Sequence, residues 1–330
     1  MSGGCYYCLE CWGRAVGTLS AKGLHCQTRK NMRNIRTYQE VSHNTESELL
    51  EQVIEQQERL ADRLSQVKRL VAVASGKGGV GKSAITANLA TGLAIRGFKV
   101  GATDADLNGP SLGRMLNVSG SKLVDSATGV EPAKSPLGVT VMSMELLQKE
   151  EDAPLKWREP SLGGFIWQSS LETGVLREFL GDVVWGDLDI LLIDVPPGTD
   201  KIKRLLELLP NLDLMLLVTT PSETARFVVA KSVRLAQEAL IDNIGLVENM
   251  ESHICSSCGH ISKLFGRELS QENEPDKSVP LWGSIPFDPR LGVSTDQGEP
   301  LIKLEPSSPA SLALGKLVDK VSELIKGGQE

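Results

Sequence analysis

Apolar runs of strand length alternate with stretches of helical period through most of this chain. Leu70 to Ala74 is an unbroken apolar run, of the kind a strand covered on both faces presents. Ala84 to Ile95 follows with Ala, Leu and Ile on one helical face and Gly97 as its stop. Phe98 to Thr103 predicts a strand ending at Asp104-Ala105-Asp106, and Leu188 to Asp194 a buried strand closing on an acid. Leu212 to Thr220 and Asn243 to Asn249 predict two more strands, with a helix over Ser222 to Ala239 between them. A last amphipathic helix is predicted over Ala310 to Ile325. Strand then helix, repeated, implies an α/β fold: a parallel sheet flanked by helices. Upstream, Leu49, Leu50, Val53, Ile54, Leu60, Leu64 and Val67 recur at helical spacing. They predict an amphipathic helix over Asn44 to Leu70, packed on the core, with Thr45 and Glu48 as a capping box. Residues 1–43 have little periodicity.

Between the first strand and the first helix lies Gly76-Lys77-Gly78-Gly79-Val80-Gly81-Lys82-Ser83. It fits the P-loop template in the strand–loop–helix frame that the motif needs. Glycines let backbone N–H groups close around phosphate oxygens, and the helix N-terminus adds the positive end of its dipole. Gly76, Gly78, Gly79, Val80, Gly81, Lys82, Ser83 and Ala84 are therefore expected to hold ATP. Lys82 would reach the β- and γ-phosphates, and the Ser83 hydroxyl would bind Mg²⁺. The chain then divides into a Cys-rich extension at 1–43, a linker helix at 44–67 and a P-loop ATPase domain at 68–330.

Acids at strand ends complete this site. Asp194 ends an apolar strand and precedes Val195-Pro196-Pro197-Gly198-Thr199, a Walker B pattern that holds Mg²⁺ directly or through water. The Pro-Pro-Gly turn predicts a rigid, switch-like loop near the γ-phosphate. Asp104 and Asp106, two apart on an extended segment, share a face. Asp106 is assigned to the attacking water and Asp104 to the Mg²⁺ environment. Asn249, at a later strand end, is expected to offer its amide to the adenine edge, and Pro286 to shape the base pocket.

At 330 residues the chain holds one large α/β domain plus extensions, and its 41% hydrophobic and 23% charged residues suit a soluble globular protein. A net charge of -7 gives no nucleic-acid footprint. No apolar stretch approaches the ~20 residues of a membrane span. The N-terminus lacks the apolar core of a signal peptide, so the cytoplasm and no membrane partner are expected.

Six cysteines without an export signal point to thiols, metal or redox chemistry. Cys255-Ser256-Ser257-Cys258 is compatible with half a zinc site, a redox pair or no function. Two thiolates do not fill a tetrahedral site, but two copies across a dimer axis supply four, which suits a [4Fe-4S] cluster. His253 and His260 flank the pair and keep zinc in contention. Cys5, Cys8, Cys11 and Cys26 have close ferredoxin-type spacing with a distant fourth member. A second [4Fe-4S] cluster, a zinc site with His25 as alternative ligand, and free thiols all fit them.

SGKGGVGKS, DADLNGPS at 104–111, LDILLIDVPPGT at 188–199, TTPSETA at 219–225, GLVENM at 245–250, the cysteine pair and GSIPFDP at 283–289 occur in the order of the Mrp/ApbC family. The resemblance covers about residues 68 to 325. Lys77 resembles the signature lysine of MinD/Mrp/ArsA-class dimeric ATPases, where it crosses to the partner's nucleotide. The resemblance implies a homodimeric ATPase that carries a transient [4Fe-4S] cluster on Cys255 and Cys258 for apo iron-sulfur proteins. It makes Lys77, Lys82 and Asp106 the catalytic residues. The chain departs from the family at Glu159, where glycine is usual, and at Asp200-Lys201, where Gly-Asp is usual. The cytosolic scaffolds of the family carry an N-terminal four-cysteine cluster with the opposite order of spacing. The alternatives are a MinD/ParA-like partitioning or regulatory ATPase acting through protein partners, and a reductase resembling nitrogenase iron protein. Cluster cysteines are foreign to the first, and the second takes its ligands from two separated loops.

Overall fold

Among the described residues nine strands form one mixed, mostly parallel sheet, and the strand that feeds the P-loop lies in its interior. The computed structural model describes residues 46–147, 164–265 and 279–327, with Asn108 and Ser256 excepted. In chain order the elements are helix α1 (Glu46–Leu64), strand β1 (Leu70–Ala74), α2 (Lys82–Ile95), β2 (Val100–Asp104) and α3 (Leu112–Met115). Four short strands follow: β3 (Val124–Ser126), β4 (Gly129–Glu131), β5 (Ala133–Lys134) and β6 (Thr140–Met142). Then come α4 (Gly164–Asp182), β7 (Ile190–Asp194), α5 (Thr199–Leu208), β8 (Leu214–Thr219), α6 (Glu223–Glu238) and β9 (Ile244–Ile254). The chain closes with β10 (Ile261–Lys263), β11 (Leu281–Phe287), α7 (Pro289–Asp296), α8 (Leu301–Leu304) and α9 (Pro309–Lys326). The sheet order is β10-β9-β8-β1-β7-β2-β6-β5, with β11 also paired to β9. Only β10 and β5 run antiparallel to their neighbours. A separate two-stranded ribbon joins β3 to β4.

Alternation along β1 feeds two apolar layers. Val71 and Val73 face a core completed by Ile85, Leu89 and Leu93 of α2 and Leu314, Leu317, Val318 and Val321 of α9. Leu70, Ala72 and Ala74 face another, built with Leu60 of α1, Phe179 and Leu180 of α4, Ile202 and Leu205 of α5, and Val229 and Val233 of α6. Because both faces are covered, β1, β7 and β8 are buried along their whole length, which explains their unbroken apolar runs. Helices α2 and α9 cross so closely at Gly92 that a Cβ there would lie 2.7 Å from Val318 Cγ2.

The α/β class, the P-loop strand, the Walker strand and the last helix stand where the periodicity puts them. The amphipathic N-terminal helix stops at Leu64 rather than running to Leu70, because Leu70 is already the first residue of β1. Thr45 lies outside the described residues. The strand at 243–249 is longer than its apolar pattern, since Ser252 to Ile254 gain partners from β10, and His253 from β11 as well. Segments 164–182 and 199–208 form helices without a helical signal read from their residues. In the second, Thr199 follows Gly198 at φ 119, so the Pro-Pro-Gly turn leads straight into α5.

Candidate functional site: a phosphate loop and a cysteine hairpin

The loop between β1 and α2 turns on glycines that other residues do not readily replace. Gly79 at φ 75 and Gly81 at φ 83 lie in the left-handed region. Gly81 is the N-cap of α2 and has no side chain to bond the first helical N–H groups, which leaves them for an anion. Gly76 is needed for another reason: a Cβ there would lie 2.3 Å from Val228 Cγ1 of α6.

Parallel pairing of β1 with β7 sets Val73 beside Asp194. The Asp194 carboxylate, fully buried, then meets the start of α2. Lys82 Nζ stands 2.6 Å from its Oδ2, the Ser83 hydroxyl donates to the same oxygen at 2.6 Å, and Thr86 donates to Oδ1 at 2.8 Å. Lys82 is 7% exposed, so its charge is almost fully desolvated and acts with little screening. A hydroxyl beside a carboxylate is the hard-oxygen pair that suits Mg²⁺, and Ser83 with Asp194 would hold it. Thr86 completes this arrangement, and the sequence marks it only by its place one helical turn after Ser83.

Pairing of β2 with β7 brings Asp104 beside Asp194. Asp104 is not an open carboxylate. Its Oδ1 accepts from Asp106 N at 3.0 Å, and its Oδ2 from Ser111 N at 2.8 Å and Leu112 N at 3.0 Å. Its first structural task is thus to hold the loop that displays Asp106. Burial pushes the Asp104 carboxyl up to about 7, reinforced by the Asp194 carboxylate and opposed by the Leu112 and Ser111 N–H groups and Lys82. Asp106 is half-buried and accepts from Gly109 N at 3.1 Å. The shared face expected for the two acids is replaced by a turn in which one carboxylate braces the backbone of the other.

The Pro-Pro-Gly turn lies against the loop: Gly198 N donates to Ser75 O at 3.1 Å, and a Cβ at Gly78 would lie 3.9 Å from Pro197 Cγ. Lys77 Nζ donates to Ser222 Oγ at 3.1 Å, so the N-cap residue of α6 holds the lysine within its own chain. Ser222 had no signal beyond the string that contains it. The Asn249 amide has a further role that its sequence position does not announce: its Nδ2 donates to Val80 O at 2.9 Å, bracing the phosphate loop. Pro286 sits half-buried in β11, one residue beyond Ile285, the partner of Asn249.

Cys255 and Cys258 are carried at the tip of the β9–β10 hairpin. Cys255 N donates to His260 O at 2.9 Å and Gly259 N to Cys255 O at 2.8 Å, with Gly259 at φ 70 closing the turn. The Ser257 backbone N–H, then the Cys258 N–H and thiol, hold the Cys255 thiol below its ordinary range. Such N–H groups aimed at sulfur favour the thiolate, the form that binds metal. Among the described residues no group of three or more His, Cys, Asp or Glu side chains could hold a metal. The His253 ring packs at 6.3 Å from Phe287. Cys5, Cys8, Cys11 and Cys26 lie outside the described residues, as does Glu159.

A glycine loop ahead of a helix on a parallel sheet, with lysine and serine meeting a strand-end acid, defines a P-loop nucleoside triphosphatase. Comparison narrows the class. Residues 66–322 match the ParA-group family model described as the NUBPL iron-transfer P-loop NTPase. The chain is 35% identical over 268 residues to the iron-sulfur cluster carrier protein of Saccharolobus solfataricus, which spans 81% of this chain and 87% of that protein. It is 34% identical over 290 residues to the protein of the same name from Methanocaldococcus jannaschii, across 88% of this chain and 96% of the other. Among solved structures, the nucleotide-binding protein of Archaeoglobus fulgidus in complex with ADP aligns with a TM-score of 0.63 at 34% identity, over 78% of this chain and 95% of that one. The cell-division ATPase MinD of Pyrococcus furiosus, at 24% identity and TM-score 0.51, shares the fold. The chain belongs to the NUBPL-type family of iron-transfer P-loop NTPases, and it is an ATPase by fold, site and family.

Proposed function

We propose that this chain is an ATP-driven carrier that takes a [4Fe-4S] cluster as cargo and hands it to apo iron-sulfur proteins. The observation that carries this reading is the hairpin. It presents two thiols, with Cys255 biased toward thiolate, and the described residues add no third ligand. A four-thiolate cluster then needs a second copy of the hairpin, so the working unit is a homodimer with Cys255 and Cys258 of each chain around the cargo. A site completed only by association opens when the copies move apart, which suits delivery.

At the other site, the N–H groups of Gly78 to Lys82 cradle the ATP phosphates. Lys82 offsets the charge of the β- and γ-phosphates, Ser83 and Asp194 hold Mg²⁺, and Asp106 orients the attacking water. Asp104 keeps the Asp106 loop in place. In the dimer Lys77 leaves Ser222 for the partner's nucleotide. Mg²⁺, when bound, neutralises charge on the transferred phosphoryl group. Asn249, beside its contact with Val80, and Pro286 are proposed to border the adenine base. Cys5, Cys8, Cys11 and Cys26 would hold a second cluster or zinc. Free, reactive thiols require a reducing compartment, for which the cytoplasm is proposed. Among the described residues no helix is long and apolar enough to cross a membrane.

Anaerobic reconstitution with iron and sulfide tests the proposal. The double substitution Cys255→Ala, Cys258→Ala should lower bound iron by about four atoms per dimer, as four-cysteine ligation of a [4Fe-4S] cargo requires, and leave ATP binding intact. Unchanged iron, or stoichiometric zinc in the parent protein, overturns it.

A further inference from the structure

Strand β9 does two jobs in succession. From Ile244 to Glu248 it pairs in parallel with β8. From Leu246 to Asn249 it also pairs with β11 on its other side. Both pairings stop together. The last β8 partner is Glu248, and after Asn249↔Ile285 the next β11 pair is His253↔Phe287. Three β9 residues therefore oppose one β11 residue, Pro286, which has no N–H to offer a ladder. At the start of this irregularity Met250 takes φ 60, a backbone conformation that side chains other than glycine resist. From Ser252 onward the strand pairs with β10 instead and carries the cysteine hairpin.

Strain at a non-glycine residue persists where its surroundings over-determine it, and here they are visible. Asn249, 1% exposed, donates to Val80 O at 2.9 Å, inside the phosphate loop. The next loop residue, Gly81, has no room for a Cβ, which would lie 2.3 Å from Asn249 Nδ2 and 3.9 Å from Met250 Cε. The Val80–Gly81 turn directs backbone N–H groups to phosphate on one side and rests on Asn249 and Met250 on the other. Cys255 follows five residues after Met250 on the same strand.

We propose that Asn249 and Met250 form a mechanical joint through which the state of the phosphate loop sets the position of the Cys255–Cys258 hairpin. This deepens the carrier reading and rests on it. Asn249 is a positioning residue that reports the loop through the Val80 carbonyl. Met250 is the kink at which the strand leaves the rigid sheet, so a small shift of Asn249 becomes a reorientation of the hairpin. The His253–Phe287 ring contact tethers the hairpin on the far side of the kink.

The test uses the full chain, reduced and free of cluster. Alkylation of Cys255 and Cys258 by iodoacetamide is followed residue by residue by mass spectrometry, with and without Mg-ATP or a non-hydrolysable analogue. Mg-ATP should change the Cys255 rate by about fivefold or more, the lower end of ordinary coupling between sites. In Asn249→Ala and in Met250→Gly that change should fall below about twofold, a small fraction of ordinary coupling. Met250→Gly accepts φ 60 without strain, keeps the Asn249 contact and should bind nucleotide as the parent does, so a loss of response there is a loss of coupling. A parent whose Cys255 rate ignores nucleotide, or a Met250→Gly chain that responds like the parent, overturns the joint. Iron uptake measured on the same preparations separates the two readings. Iron bound without any nucleotide response defeats the joint alone, and a nucleotide response without iron uptake defeats the carrier reading alone.

Discussion

Strand β9 serves two opposite kinds of site, one at its middle and one just past its end. At the phosphate loop, which Asn249 braces, the buried acids have partners inside the chain: Lys82, Ser83 and Thr86 converge on Asp194, and three backbone N–H groups converge on Asp104. Near Cys255 the chain offers two thiols at a hairpin tip, one half-buried and one exposed. The first site is held by contacts within the chain, and fixed groups of this kind are what electrostatic catalysis on phosphate requires. On the proposed carrier reading the second is half a site, and its incompleteness suits a cargo that must leave, because a closed four-ligand cage in one chain is the form of structural metal sites.

The contrast breaks most visibly at Lys82. Lys82→Ala should lower the hydrolysis rate by on the order of 10²–10³, the usual loss for one preorganised electrostatic contact, while iron bound at the hairpin stays at the parent level. Hydrolysis at the parent rate would remove the P-loop assignment altogether. A smaller effect follows from Gly81→Ala. A left-handed backbone costs a non-glycine residue about 1–2 kcal/mol, and the new Cβ would lie 2.3 Å from Asn249 Nδ2. Titration calorimetry should show ATP affinity reduced about tenfold, 1.4 kcal/mol being a factor of ten; unchanged affinity would mean that the turn is not held as described.

Smaller still is a pH effect peculiar to the organised end. Asp104 is pushed up to about 7 from an ordinary 3.8, so between those values the folded chain holds a proton that the unfolded chain has lost. Its contribution favours folding at low pH and is lost as pH rises through 7. The unfolding midpoint in Mg²⁺-free, nucleotide-free buffer should therefore fall between pH 6 and pH 8. Asp104→Ala, which removes three backbone acceptor contacts, should begin lower and show a shallower slope. An identical slope would assign the pH dependence to other groups. The smallest expected change is none: deleting residues 1–43 should leave ATP binding unaltered, since every proposed nucleotide-site residue follows residue 75. A truncated chain that folds yet fails to bind ATP would move the domain boundary.

Local chemistry determined a large part of this protein before folding is considered. The β1 run, the glycine loop, the helix beginning at Lys82 and the strand ending in Asp194 are each legible because propensity, periodicity and turn geometry act over a few neighbouring residues. The cysteine pair is legible for the same reason, as a spacing. Tertiary structure decided who meets whom. Ser83 and Asp194 are 111 residues apart and Asn249 and Val80 are 169 apart, and only the order of strands in the sheet brings them together. A strand-end asparagine carries no sign in the sequence that it braces the phosphate loop; that contact exists only once β9 is laid beside β8. Nothing in the sequence shows that Asp104 also braces its own loop; that appears only once the loop folds back and gives both oxygens N–H donors. The left-handed Met250 has no sequence signature at all, because its conformation is imposed by the strand's exchange of partners and not by any preference of methionine.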